Sequence, residues 1–129
     1  MTREDRETLL ASLVPSFELV SVDGACVVEA AGEIDFYAGG ELESALAEAR
    51  ARSRSVVVDF SEVTFVDSTA LGRLLAFDRQ LASAGGSFAL VLGGREVARA
   101  LELTRLDRIL RTAPSREEAV AVVTKREPR

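Results

Sequence analysis

Two neighbouring hydroxyls behind a carboxylate, Asp67-Ser68-Thr69, are the residues of this sequence whose types and order could do chemistry. They stand between a β-branched apolar run and an amphipathic stretch, which puts Ser68 at the entrance of a helix. A hydroxyl there has two uses. It can accept a backbone N–H of the first turn as an N-cap, worth on the order of 1 kcal/mol. It can also carry a phosphate, because the free N–H groups and the positive end of the helix dipole stabilise an anion by about 0.3–1 kcal/mol, and by about 2 kcal/mol when partly buried. The two uses are compatible. Phosphorylation would add about −1.5 to −2 charges beside Asp67 and change what can dock there without unfolding the helix. A partner that buries the unmodified surface would then have to desolvate a dianion, at a cost of about several kcal/mol. Each step of about 1.4 kcal/mol is tenfold in affinity, so a single phosphate suffices to release it.

Other chemistries are excluded by what the chain lacks. It has no histidine and one cysteine, Cys26. Serine and cysteine nucleophile systems that rely on an imidazole, histidine-containing zinc motifs and thiolate metal sites are therefore ruled out, as is a disulfide framework. There is also no phosphate-cradling glycine motif of the P-loop type, so an enzyme using Ser68 as nucleophile would have no base. No metal and no cofactor are expected. Cys26 lies in an apolar run beside Val27 and Val28 and reads as a buried thiol suited to a reducing cytoplasm. The net charge of −5 arises from 21 acidic and 16 basic residues, with the arginines scattered through acidic segments, which argues against nucleic acid. No apolar run approaches the roughly 18 residues of a membrane span, and the charged start lacks the order of a signal peptide. The chain is expected in the cytoplasm.

The elements that must position Ser68 follow from periodicity. With 129 residues, 47% hydrophobic and 29% charged, the chain is expected to form one domain with one core. Residues 2–14 permit a short amphipathic helix before Pro15, as an N-terminal extension. Phe17 to Val22 and Cys26 to Ala31 form a hairpin about the Asp23-Gly24 turn, closed by Gly32-Glu33-Ile34-Asp35. Glu41 to Arg50 is a helix with Leu42, Ala45, Leu46 and Ala49 on one face. Val56 to Phe60 is a continuous β-branched run of the kind covered on both faces, hence the central strand. Thr69 to Ala84 is a second helix ending at Gly85-Gly86, where left-handed backbone is expected. Phe88 to Leu92 is a strand, Glu96 to Leu103 a third helix, and Arg108 to Arg111 a brief strand. Ser115 to Val123 is a fourth helix, opened by the capping box of Ser115 and Glu118. The order β-β-α-β-α-β-α-β-α implies an α/β fold, a mixed sheet with parallel crossovers covered by about four helices. The domain spans 15–124, with 125–129 a loose tail.

The run from Val56 to Gly72, Val-Val-Val-Asp-Phe-Ser-Glu-Val-Thr-Phe-Val-Asp-Ser-Thr-Ala-Leu-Gly, resembles the signature of bacterial STAS domains of the anti-sigma factor antagonist type. Gly32-Glu33-Ile34-Asp35, Leu101 to Leu110 and Pro114 to Ala119 agree with it in collinear order. The resemblance implies a partner-switching cycle. The unphosphorylated antagonist binds an anti-sigma factor that is also a serine kinase and so frees the sigma factor. The kinase phosphorylates the antagonist, and a metal-dependent serine phosphatase resets it. By that likeness Ser68 is the acceptor, Asp35 and Asp67 match acidic positions near the kinase contact, and Gly72 lets a partner approach the first helical turn. Three departures stand out. Thr69-Ala70 replaces Ser-Gly, which makes Thr69 a second candidate hydroxyl. Ala38-Gly39-Gly40 replaces Thr-Ala-Pro, which removes a capping hydroxyl and loosens the loop. Arg105 stands where a small residue, commonly glycine, is usual. Of the adjacent aromatics in the Asp35 loop, Phe36 and Tyr37, one is expected buried and one exposed, with Tyr37 a docking anchor. The alternative is a STAS scaffold or accessory subunit of a signalling or transport assembly, in which Ser68 only caps its helix.

Overall fold

A dipeptide fixes the first pairing. Asp23 and Gly24 both have positive φ, 47° and 90°, the backbone of the turn that suits a two-residue hairpin. It joins β1 (Ser16–Val22) antiparallel to β2 (Ala25–Ile34). The structure, a computed structural model, describes residues 1–125. The charged end 126–129, expected as part of the tail, lies outside the described residues.

β2 is longer than expected, because residues 32–34 continue it instead of closing the hairpin. They pair with β3 (Ser55–Val66), which likewise runs past Phe60 to Val66, and the register places Ile34 opposite Val66. The extension is possible because Gly32 takes φ +82°, where a Cβ would collide with the Val14 carbonyl; the register shifts between Glu29 and Ala31 and again after Gly32. β3 pairs parallel with β4 (Ser87–Val91), and β4 with β5 (Thr112–Ala113), giving one five-stranded sheet in sequence order. β5 corrects the expectation of a strand over Arg108 to Arg111. Leu106–Arg108 forms a 3-10 turn instead, and Leu106 and Leu110 are buried as its anchors.

Among the described residues there are five helices, α1 (Arg3–Leu13), α2 (Gly39–Arg52), α3 (Ser68–Ser83), α4 (Arg95–Thr104) and α5 (Arg116–Thr124); α1 leaves Leu9, Leu10 and Leu13 exposed, and the other four cover the sheet. α2, α3 and α4 bury Leu42, Leu46, Leu71, Leu74, Val97 and Leu101 with Val56, Val58 and Phe60 of the sheet. On the opposite face α5 packs Ala119, Val120 and Val123 on Val27, Val57 and Ala89. The continuous apolar run of β3 is thus covered on both faces, as its composition required. Cys26 is buried, and burial pushes its thiol pKa up. Gly85 ends α3 with φ +82°, and Ser115 caps α5 by accepting the Glu118 N–H at 3.2 Å. Gly39 and Gly40 are not loop residues: they are the first two of α2, which starts without a side-chain cap.

Candidate functional site

Because β2 and β3 are parallel and in register at Ile34 and Val66, their C-terminal ends deliver Asp35 and Asp67 side by side at one edge of the molecule. The Asp67 N–H continues the pairing by donating to the Ile34 carbonyl at 3.3 Å. Each aspartate then turns the chain. Asp35 Oδ1 accepts the N–H groups of Tyr37 at 2.9 Å and Ala38 at 3.2 Å, which folds Phe36–Ala38 into a 3-10 turn that runs straight into α2. Asp67 Oδ1 accepts the Ala70 N–H at 2.9 Å and caps α3. Its second oxygen, Oδ2, accepts the Phe36 N–H at 2.9 Å. One carboxylate therefore ties the Asp35 loop to the α3 entrance.

This arrangement corrects the placement of Ser68. It is not the N-cap but the first residue of α3, and the cap is Asp67. The physical reason is that an aspartate one residue earlier already supplies the acceptor, and caps by Asp and Ser are nearly equivalent. Ser68 and Thr69 are both exposed, and among the described residues no hydrogen bond engages either hydroxyl. They sit where the unbonded N–H groups of the first turn favour an anion. Gly72, one turn on, is also exposed and a Cβ there would meet nothing within 4 Å.

The aromatic pair departs from expectation as well. Neither ring is buried: Phe36 is 63% and Tyr37 90% exposed, and they pack edge to face on each other with centroids 5.7 Å apart. Both are held out because their backbone N–H groups are fastened by the two aspartates. Asp35, Tyr37, Asp67, Ser68, Thr69 and Gly72 thus share one corner, made by the ends of two strands and the starts of two helices.

Two charged clusters escaped sequence reasoning. On the α5 face, Asp59 is 5% exposed. It receives Arg116 Nε at 3.0 Å and Nη2 at 2.8 Å on Oδ2, while the Ser61 hydroxyl and N–H donate to Oδ1. Arg116 also reaches Glu29 at 3.1 Å. A carboxylate in the middle of the run Val56-Val57-Val58-Asp59-Phe60 was the signal, since an aspartate at a two-sided buried position demands a partner. The second cluster is the Arg73–Glu43 ion pair between α3 and α2; Arg73 stands four residues after Thr69, a spacing readable in the sequence.

Comparisons with known proteins agree with this architecture. The STAS domain family matches residues 16–119. A Thermotoga maritima protein provisionally named an anti-sigma factor antagonist is 38% identical over 66 residues, 51% of this chain and 58% of its own length. The chain thus matches a little over half the length of that curated relative. Among solved structures, an anti-sigma factor antagonist from Mycobacterium paratuberculosis superposes with a TM-score of 0.79 at 29% identity, covering 87% of this chain and 96% of its own. The Bacillus cell fate determinant SpoIIAA in its phosphorylated form shares the fold at 22% identity, with a TM-score of 0.63 over 84% of this chain and 99% of its own. A match that runs from the first residue of β1 into α5, through every strand of the sheet, places the chain in the STAS domain family.

Proposed function

We propose that this chain is an anti-sigma factor antagonist, a regulatory binding protein that acts in the cytoplasm. In its unmodified form it binds an anti-sigma factor serine kinase; phosphorylation of Ser68 releases it, and a metal-dependent serine phosphatase restores it. The observation that carries this reading is the division of labour at the α3 entrance. Asp67 does the capping, so the Ser68 hydroxyl is exposed and unspent at the positive end of a helix. A phosphate there leaves the cap intact and changes only the surface. Beside it, Phe36 and Tyr37 form an exposed, backbone-fastened aromatic pair of the kind that anchors a protein partner. Asp35 and Asp67 serve the interface by shaping that corner, since their carboxylates accept hydrogen bonds from its backbone N–H groups.

The test uses wild type, Ser68→Ala and Ser68→Glu as baits in a lysate of the source organism, with ATP-dependent labelling of the captured complex. Wild type and Ser68→Ala are expected to retain a serine kinase, Ser68→Glu to lose at least tenfold of it, and Ser68→Ala to take no label at residue 68. Equal retention by Ser68→Glu would sink the switch and leave a scaffold.

A further inference from the structure

The corner that presents Ser68 opens on its α2 side into a groove of about 560 Å³ between α2 and α3. Glu43 and Leu46 line it from α2, and Thr69, Gly72, Arg73 and Phe77 from α3; Ser68 lies outside it. The two neighbouring hydroxyls therefore have different surroundings. Arg73 follows Thr69 by four residues, the spacing at which helical side chains meet on one face.

The Arg73 guanidinium is only partly used. Nη1 pairs with Glu43 across the groove, while Nε is buried and has no hydrogen-bond partner. The group rests on Gly39, where a Cβ would stand 2.9 Å from both Nε and Nη2, so packing against glycine takes the place of a second acceptor. An arginine fork satisfied on one prong by an exposed glutamate is poised for a better acceptor. A phosphate offers three oxygens, about two charges and the bidentate geometry that the guanidinium matches.

We propose that Thr69 is a second phosphate-accepting residue and that Arg73 receives its phosphate in the groove. This rests on reading the corner as a phosphoregulated docking face. In the transfer, Thr69 Oγ1 bonds to the γ-phosphorus of ATP held by a serine/threonine kinase. The bond from that phosphorus to the β,γ-bridging oxygen breaks, ADP leaves, and the hydroxyl proton passes to a base of the kinase. Arg73 then exchanges Glu43 for the phosphate. The two modifications differ in consequence: a phosphate on Ser68 stays on the exposed corner, whereas one on Thr69 is drawn into the groove and closes it beside Gly72.

The experiment uses the full chain with phosphothreonine installed at position 69 by genetic encoding, and follows the second ionisation of the phosphate by phosphorus NMR. With Arg73 present, that pKa is expected about half a unit or more below its value in the same phosphoprotein carrying Arg73→Gln, because a close cation favours the dianion. Arg73→Lys, which keeps the charge but not the fork, should fall between. Phosphoserine at position 68 should titrate alike with and without Arg73→Gln. Superimposable curves for the two Thr69-phosphorylated chains overturn the assignment of Arg73. Mass spectrometry of Ser68→Ala recovered from its native cells tests the acceptor: phosphate on Thr69 supports it, and its absence through growth and stress overturns it. Neither readout requires that a phosphate on Ser68 release a partner, so failure here and failure of the Ser68 switch are separable.

Discussion

Both Asp67 oxygens are occupied by backbone N–H groups, Ala70 in its own helix and Phe36 in the neighbouring loop. Its removal should therefore be felt in two elements at once. Asp67→Ala is expected to cost about 1–3 kcal/mol, the sum of a lost helix cap and a lost charge-assisted bond. Asp67→Asn, which keeps one acceptor oxygen, should cost roughly half as much. Urea denaturation of the three proteins checks the order, and equal midpoints would show that the carboxylate does not tie the loop to the helix. That a hydroxyl and a carboxylate stand at a helix entrance was legible from Asp67-Ser68-Thr69 and the apolar spacing after it. Which of them caps was not. Asp, Ser and Thr all serve, and moving the helix start by one residue exchanges their roles. The exposure of Phe36 was illegible for a related reason, because it depends on a bond between residues 31 positions apart.

At the scale of elements, Arg105 shows how a departure in sequence becomes a measurable cost. It ends α4 in the left-handed region, φ +61°, where a non-glycine residue pays about 1–2 kcal/mol. Arg105→Gly should stabilise the protein by about 0.5–1 kcal/mol, the relief being offset in part by the greater freedom of glycine in the unfolded chain. A thermal midpoint raised by a few degrees is the expected result, and a lowered one would mean that the Arg105 side chain contributes packing that outweighs the strain. The long elements could be read because periodicity acts over ten or more residues. β5 could not: two residues, Thr112 and Ala113, carry no period, and pairing with β4 alone makes them a strand. The Gly39-Gly40 segment misled in the opposite direction, since glycine is a poor helix former but Gly39 is the residue that admits the Arg73 guanidinium at the start of α2.

Across the whole molecule, the two faces of the sheet are held differently. The α2–α3 face is a hydrophobic layer, whereas the α5 face includes the Asp59–Arg116–Glu29 cluster. Burial by itself would raise the Asp59 carboxyl, but the Ser61 hydroxyl and N–H and the Arg116 guanidinium outweigh it and hold the carboxyl below its ordinary value of 3.8. A carboxyl depressed in the folded state contributes stability that is complete above the unfolded value and is lost as pH falls through the folded one. Global stability should therefore lose this contribution progressively as pH drops from about 5 to below the folded value. Arg116→Met is expected to lower neutral-pH stability by about 2–4 kcal/mol, discounted because Arg116 is a third exposed, and to flatten the acid limb. Denaturant titrations at a series of pH values decide it, and parallel acid limbs would remove Arg116 as the cause.

Strand order equals sequence order in this sheet, and that has a bearing on synthesis. Each strand leaving the ribosome finds its pairing edge already made by the one before it, so the sheet widens in the direction of translation, with its contacts closed by short excursions. The face covered by α2, α3 and α4 is complete once Leu110 has emerged. The other face, with Val27, Val57 and Ala89, stays wet until the nine residues of α5 arrive. A nascent chain halted before Arg116 would thus display a finished α3-entrance corner on a half-covered domain, the state that chaperones and proteases are built to intercept.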